Sequence, residues 1–324
     1  MAGHTAFSQT DFVSILANYR LGGYRSAKPF IHGTVQTNLL LRTTQGRFVL
    51  RYYENRSRNS VLFETDVIRY LNDRPFPCPA PLKNEYGEYV GTYNGHPYVI
   101  FEFVEGRHLK HPSATQKRAL IRKVAELHNL TGAYRSRYAK YRLNYDIDTC
   151  RTLARRKAKA IGTPNAKNKL KWFESELSKL SLPESLLKGI CHCDFHVSNV
   201  LFKAGKFSAL IDFDDANYTF LTFDLVSLID RVIWPFDPNT WSGFKKGETI
   251  LDFRAARKII SEYMKYRPLR VVEQKHLFDV FKLSILFDCV WYFARGDAED
   301  FFERRKIEFL NALGRSEFRN RLFA

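Results

Sequence analysis

Between Ile190 and Ala216 the chain reads ICHCDFHVSNVLFKAGKFSALIDFDDA, and this stretch constrains the fold more than any other. Val200-Leu201-Phe202 and Ser208-Ala209-Leu210-Ile211 are short β-like runs, with Ala204-Gly205-Lys206 as the turn between them. A hairpin pins its two ends side by side, so Asp194 and Asn199 at the entrance are expected near Asp212 at the exit. These are oxygen-bearing side chains without a cysteine or histidine cage, a set suited to hard Mg²⁺ and phosphate oxygens. One carboxylate can take the proton of an attacking hydroxyl while an amide and a second carboxylate hold the metal. Phosphoryl transfer requires that division of labour.

The order His192-x-Asp194-x-x-x-x-Asn199, then a hairpin, then Asp212-Phe213, resembles the catalytic loop and metal-binding segment of protein-kinase-like enzymes. Its wording is closer to the aminoglycoside phosphotransferase and choline kinase branch, which acts on small molecules. Within that branch it most resembles the kinase-like homoserine kinases. Cys193 stands where the branch usually has Gly, and Val197-Ser198 replace a more common Pro-Gly or Pro-Asp. The resemblance implies an α+β, protein-kinase-like fold of two lobes. Residues 1–104 would form a β-rich nucleotide-binding lobe and residues 105–324 a larger helical lobe for catalysis and substrate, with ATP between them and Mg²⁺ as second cofactor. It makes Asp194 the catalytic base, Asn199 and Asp212 the metal ligands, and Asp214 the helper of a second metal.

Upstream, Phe12, Ile15, Leu16 and Tyr19 have helical spacing, and Thr10 or Asp11 is a candidate cap. Leu39–Arg42 and Arg47–Tyr52 read as strands joined at Gln45-Gly46. By the resemblance, Gly33, Thr37 and Asn38 belong to the loop that closes over ATP phosphates. Arg51 holds the position of the phosphate-pairing lysine, with a planar fork in place of a point charge. Glu64, on a helix expected over Val61 to Leu71, would orient it. Strands are expected over Tyr89–Tyr93 and Pro97–Val104, turning at Asn94-Gly95. Glu102 to Val104 would be the hinge whose backbone reads adenine.

Ser113 and Gln116 form a capping-box pattern before Leu120, Val124 and Leu127. His128, at the end of that helix, reads as packed or capping. Arg151 to Lys171 is basic without an acid and reads as a solvated insertion, with a polyanion patch as the competing account. A further helix is expected over Trp172 to Leu180. In the resembling families an Asp-Leu pair such as Asp224-Leu225 braces the catalytic loop, and SEYMKYRPL with Glu273 beyond it resembles their C-terminal part. The last helices are expected over Val272–Phe293 and Asp297–Leu313. Asp297, Glu299 and Asp300 could face a cationic substrate, but a helix start attracts such acids for its dipole alone.

Length and charge narrow the classes. A chain of 324 residues accommodates two lobes. Its opening residues lack an export pattern, which makes the cytoplasm the default compartment. The most apolar stretch, Leu277 to Phe293, carries Asp279, Lys282 and Asp288, which argues against membrane insertion. Five scattered cysteines fit reduced thiols, and the spacing of Cys191-His192-Cys193 is too short for a paired zinc motif. The net charge of +17 could attract polyanions, yet no nucleic-acid-binding motif accompanies it, so nucleic acid is not the expected partner. The expected partner is a small hydroxyl-bearing metabolite, with a homoserine-like amino alcohol first. An aminoglycoside is the alternative within the class. From another class, the alternative is a catalytically silent kinase-like protein that binds RNA or a membrane through its basic surface.

Overall fold

The structure, a computed structural model, describes residues 5–30, 35–230 and 251–324. Gly33, expected over the phosphates, lies outside the described residues. The chain divides into two compact units. The first comprises Met1–Arg107, Ser136–Arg142 and Val200–Asp214; the second comprises His108–Arg135, Leu143–Asn199 and Asp215–Ala324.

The first unit opens with helix α1 (Gln9–Leu16), which starts two residues earlier than the apolar spacing suggests. Ser8 is the reason: its hydroxyl accepts from the Asp11 N–H while the Asp11 carboxylate accepts from the Ser8 N–H at 2.7 Å. The sheet follows as β1 (Tyr24–Pro29), β2 (Thr37–Thr43) and β3 (Arg47–Tyr52), then helix α2 (Arg58–Asn72), then β4 (Gly91–Tyr93) and β5 (His96–Glu102). All pairings are antiparallel, in the spatial order β1-β2-β3-β5-β4. Alternation along β2 and β3 buries Leu39, Leu41 and Leu50 against Phe12, Ile15 and Leu16 of α1, a core completed by Tyr52, Tyr98 and Ile100. Asn94 and Gly95 turn β4 into β5 at φ of 48° and 81°, the left-handed pair a two-residue hairpin needs. β4 is shorter than expected, and Tyr89 ahead of it lies under the Arg69 guanidinium, 4.4 Å from its ring centre.

In the same unit lies the hairpin of β7 (Val200–Lys203) and β8 (Lys206–Leu210). Its register pairs Val200 with Leu210, and Ala204 and Gly205 make the turn at φ of 48° and 76°. Backbone bonds secure it at both sides: Arg107 and Phe202 exchange N–H···O bonds of 2.9 and 3.0 Å, and the Leu210 N–H donates to the Pro77 carbonyl at 2.9 Å.

The second unit is helical. It contains α3 (Ala114–Thr131), α4 (Ile147–Ile161), α5 (Pro164–Ser178), β6 (Lys188–Cys191), β9 (Asn217–Phe220), α6 (Thr222–Ile229), α7 (Phe253–Met264), α8 (Val271–Trp291) and α9 (Phe302–Phe323). Ser113 and Gln116 cap α3 as the pattern requires. The expected solvated insertion at 151–171 is corrected: these residues form most of a helical hairpin. Gly162 ends α4 at φ 73°, and Thr163 with Pro164 starts α5. Cys150, Leu153, Ala154 and Ala158 give α4 a buried face, and the Lys169 ammonium is buried where it donates to the Phe293 carbonyl at 3.1 Å. The bulk of α8 is buried, and it packs on α4, α6 and α9. Among the described residues no helix is long and apolar enough to cross a membrane. α9 begins at Phe302, later than expected; ahead of it, Asp300 pairs with Arg305 at 2.7 Å and Glu299 with Arg304 at 3.4 Å.

Candidate active site

In the first unit the site is organised by Arg51 on β3. Its guanidinium is held at three points: Nε donates to Asn38 Oδ1 at 2.8 Å, Nη1 to Glu64 Oε1 at 3.0 Å, and Nη2 to Asp212 Oδ1 at 2.7 Å. Tyr53 donates to the other Glu64 oxygen at 2.9 Å. Burial opposes the Arg51 charge, but Asp212 and Glu64 more than offset it, and the guanidinium stays firmly protonated. Asn38, Glu64 and Asp212 are thus brought together around one cation, as the sequence reading expected of Glu64. Asp212 sits at φ 67°, a left-handed residue that ends the β8 run and turns its carboxylate to Arg51. Its Oδ2 has no hydrogen bond among the described residues.

Asp214 is more enclosed. Arg56 grips both its oxygens at 3.0 and 3.1 Å, and Gln36 donates to Oδ2 at 3.0 Å. Burial would raise this carboxyl, and the Arg56 and Arg51 charges instead hold it below the usual range. Arg142 caps its backbone carbonyl. A cation on Asp214 would therefore meet the Arg56 guanidinium. Thr37 turns its hydroxyl to Glu54 at 2.5 Å, and Glu54 also receives the Thr5 N–H at 2.9 Å. The Glu102 N–H is used by the Ala80 carbonyl at 2.9 Å, whereas neither backbone group of Val104 finds a partner among the described residues. Sequence reasoning missed Arg56, Gln36 and Arg142, because an irregular segment carries no periodicity to single them out.

In the second unit, β6 delivers the loop that carries Asp194. Asp194 is exposed, and Asn199 beneath it is buried. Asn199 Nδ2 donates to the Asp194 carbonyl and to its carboxylate Oδ2, both at 2.9 Å. Both bonds use the nitrogen, so Oδ1 is the end of the amide left to a metal. The loop is braced by Asp224 on α6, which accepts from the N–H of His192 at 2.7 Å and of Cys193 at 2.9 Å. His128, Cys191 and Asp224 offer ligand atoms within 4.8 Å of one another. Burial pushes the Cys191 thiol far up, which keeps it protonated, and His128 Nε2 is bonded to Asp224 at 3.1 Å. The trio is a hydrogen-bonded cluster rather than a thiolate cage.

Comparison with known proteins identifies the family of the chain. Residues 26–259 match the phosphotransferase enzyme family. The chain belongs to that family. A homoserine kinase of Methylobacterium radiotolerans is 31% identical over 96% of this chain and 89% of its own length. One of Sinorhizobium medicae is 28% identical over 83% of this chain and 82% of its own length. Among solved structures, an amicoumacin kinase in complex with AMP-PNP, Ca²⁺ and Ami superposes with TM-score 0.63 at 16% identity, covering 97% of this chain and 94% of its own. A spectinomycin phosphotransferase in complex with ADP and spectinomycin gives 0.62 at 13% identity, covering 99% of each chain. The fold is the α+β fold of the kinase-like phosphotransferases, and by class this phosphotransferase is a small-molecule kinase.

Proposed function

We propose that this phosphotransferase moves the γ-phosphate of ATP to the hydroxyl of homoserine or a close amino alcohol. The observation that carries the reading is the Asn199 clamp on Asp194, which leaves an exposed carboxylate fixed in one orientation. Asp194 accepts the acceptor's hydroxyl proton. Arg51, kept charged and aimed by Glu64 and Asn38, pairs with the phosphates, and the unpartnered Val104 backbone reads the adenine edge. Gly33, Thr37 and Glu102 keep the nucleotide roles the resemblance gives them, with Thr37 and Glu102 acting through the backbone. Asn199 and Asp212 keep the metal-holding roles the resemblance gives them, and their free oxygens, Oδ1 and Oδ2, are hard donors of the kind that suits Mg²⁺. When bound, the ion neutralises phosphate charge; Asp214, clasped by Arg56, serves it indirectly by fixing the turn that carries Asp212. Most of the acceleration then comes from positioning and preorganised charge.

The homoserine kinase names of relatives near 30% identity favour homoserine over an aminoglycoside, which only fold-level likeness supports. The test is transfer of label from γ-labelled ATP, with magnesium, to L-homoserine and in parallel to an aminoglycoside, using wild type and Asp194→Asn. Wild type should label homoserine, and Asp194→Asn should be slower by about 10²–10⁴-fold while still binding ATP. Equal transfer by both proteins would sink the base assignment, and label on the aminoglycoside alone would replace the acceptor.

A further inference from the structure

Behind the catalytic loop runs a buried hydrogen-bonded chain that phosphoryl transfer as described above does not use. It starts at Glu273 on α8, whose Oε1 accepts from Arg267 Nη2 at 2.6 Å and whose Oε2 accepts from the Arg270 N–H at 3.0 Å. Arg267 Nη1 donates to the Tyr263 hydroxyl at 3.2 Å, and that hydroxyl lies 2.6 Å from His128 Nδ1. His128 Nε2 lies 3.1 Å from Asp224 Oδ2, and Asp224 receives the His192 and Cys193 amides. Every residue in the series is at most 5% exposed.

The direction of each bond follows from its ends. Arg267 can only donate, so the Tyr263 oxygen accepts from it, and the Tyr263 proton is available to His128 Nδ1 when that nitrogen is bare. Asp224, an anion already taking two amide protons, can only accept, so His128 Nε2 carries the hydrogen. Burial lowers the His128 pKa, in keeping with a neutral ring. Around the ring stand Asp224 from α6, Tyr263 from α7, Cys191 from β6, and Arg267 and Glu273 from the start of α8 and the link before it.

We propose that Tyr263, backed by Arg267 and Glu273, is a positioning residue for the catalytic loop: it locks His128 as the neutral Nε2–H tautomer and so holds Asp224 against the amides next to Asp194. The loop needs that hold because Cys193 sits at φ 62°, a left-handed conformation that an L-residue adopts only against a steric penalty. Without the Tyr263 proton, His128 Nδ1 becomes free to protonate. The resulting cation draws the Asp224 carboxylate toward itself and away from the two amides.

The catalytic consequence rests on Asp194 being the base, but the tautomer does not. In wild type labelled with ¹⁵N-histidine, with His128→Gln for assignment, the His128 resonances should report Nε2–H and bare Nδ1 throughout about pH 5–8. In Tyr263→Phe they should titrate within that range, with kcat lowered roughly tenfold and both KM values nearly unchanged. Arg267→Lys, which keeps a donor and the charge, should lie between the two proteins. An Nδ1–H or cationic His128 in wild type overturns the proposal even if no Tyr263 variant folds, as does a Tyr263→Phe enzyme with wild-type kcat. Absence of any transfer by wild type would count against the kinase reading instead and leave the NMR result to decide the tautomer.

Discussion

Asp288 shows how far the setting of one residue can depart from its letter. It is half-buried on α8, and burial pushes its carboxyl up to about 7, with Asp230, Glu303 and Asp194 adding to the rise against the single opposing charge of Lys306. The folded protein therefore binds this proton more tightly than the unfolded chain, whose aspartate titrates near pH ~4. Stability from this group is present at low pH and is lost as pH rises through about 7. Thermal melts between pH 5 and 8 should show wild type losing stability relative to Asp288→Asn; parallel curves would refute the assignment. The sequence showed Asp288 only as a charge interrupting an apolar run. Two of the acids around it, Asp230 and Asp194, lie far off in the chain, and only the fold brings them near. Arg51 and Glu64 were more legible, since a strand end and a helix face bring them together by local geometry alone.

At the scale of elements, Gly189 on β6 decides how closely that strand approaches α3. A Cβ there would lie 2.6 Å from Leu221 Cδ2 and 3.1 Å from both the Gly132 Cα and the Thr131 carbonyl. The two backbone neighbours cannot yield, so Gly189→Ala should destabilise the protein by about 1–3 kcal/mol in urea titrations. An unchanged midpoint would mean that β6 stands further from α3. Thr131 already ties the two together through a 2.7 Å bond from its hydroxyl to the Ile190 carbonyl. Elements with local punctuation were legible in the sequence: the Asn94-Gly95 turn, the Ser113 cap and the hairpin after Asn199. The α4–α5 hairpin was not. Between Arg151 and Lys171 its buried positions are mostly small or cationic, Ala154, Ala158, Ala166 and Lys169, with Leu153 as the large apolar one, so the apolar face is faint until α8 covers it.

Across the whole molecule, 51 basic residues face 34 acidic ones, and the excess gathers locally. A groove between α3 and α7 is lined by Lys117, Arg118, Arg254, Arg257, Lys258 and Lys265, with Glu262 as its acid. Such crowding works against the compact state and is relieved by screening, whose range falls to ~10 Å at 0.1 M salt. Raising NaCl from about 20 to about 200 mM should therefore raise Tm, and a fall would show that attractive pairs dominate the charge balance. The sequence by itself determined the reaction class, because Asp194, Asn199 and Asp212, the proposed base and metal ligands, lie within one short stretch around a hairpin whose geometry is local. It also determined the antiparallel sheet, through alternation and turn residues. Only the tertiary structure decided what holds these groups in place. The Arg56 clasp on Asp214 and the line from Glu273 to Asp224 join residues that are distant in the chain. Their pairing depends on how buried charges find partners when the core closes, and no spacing in the sequence records that.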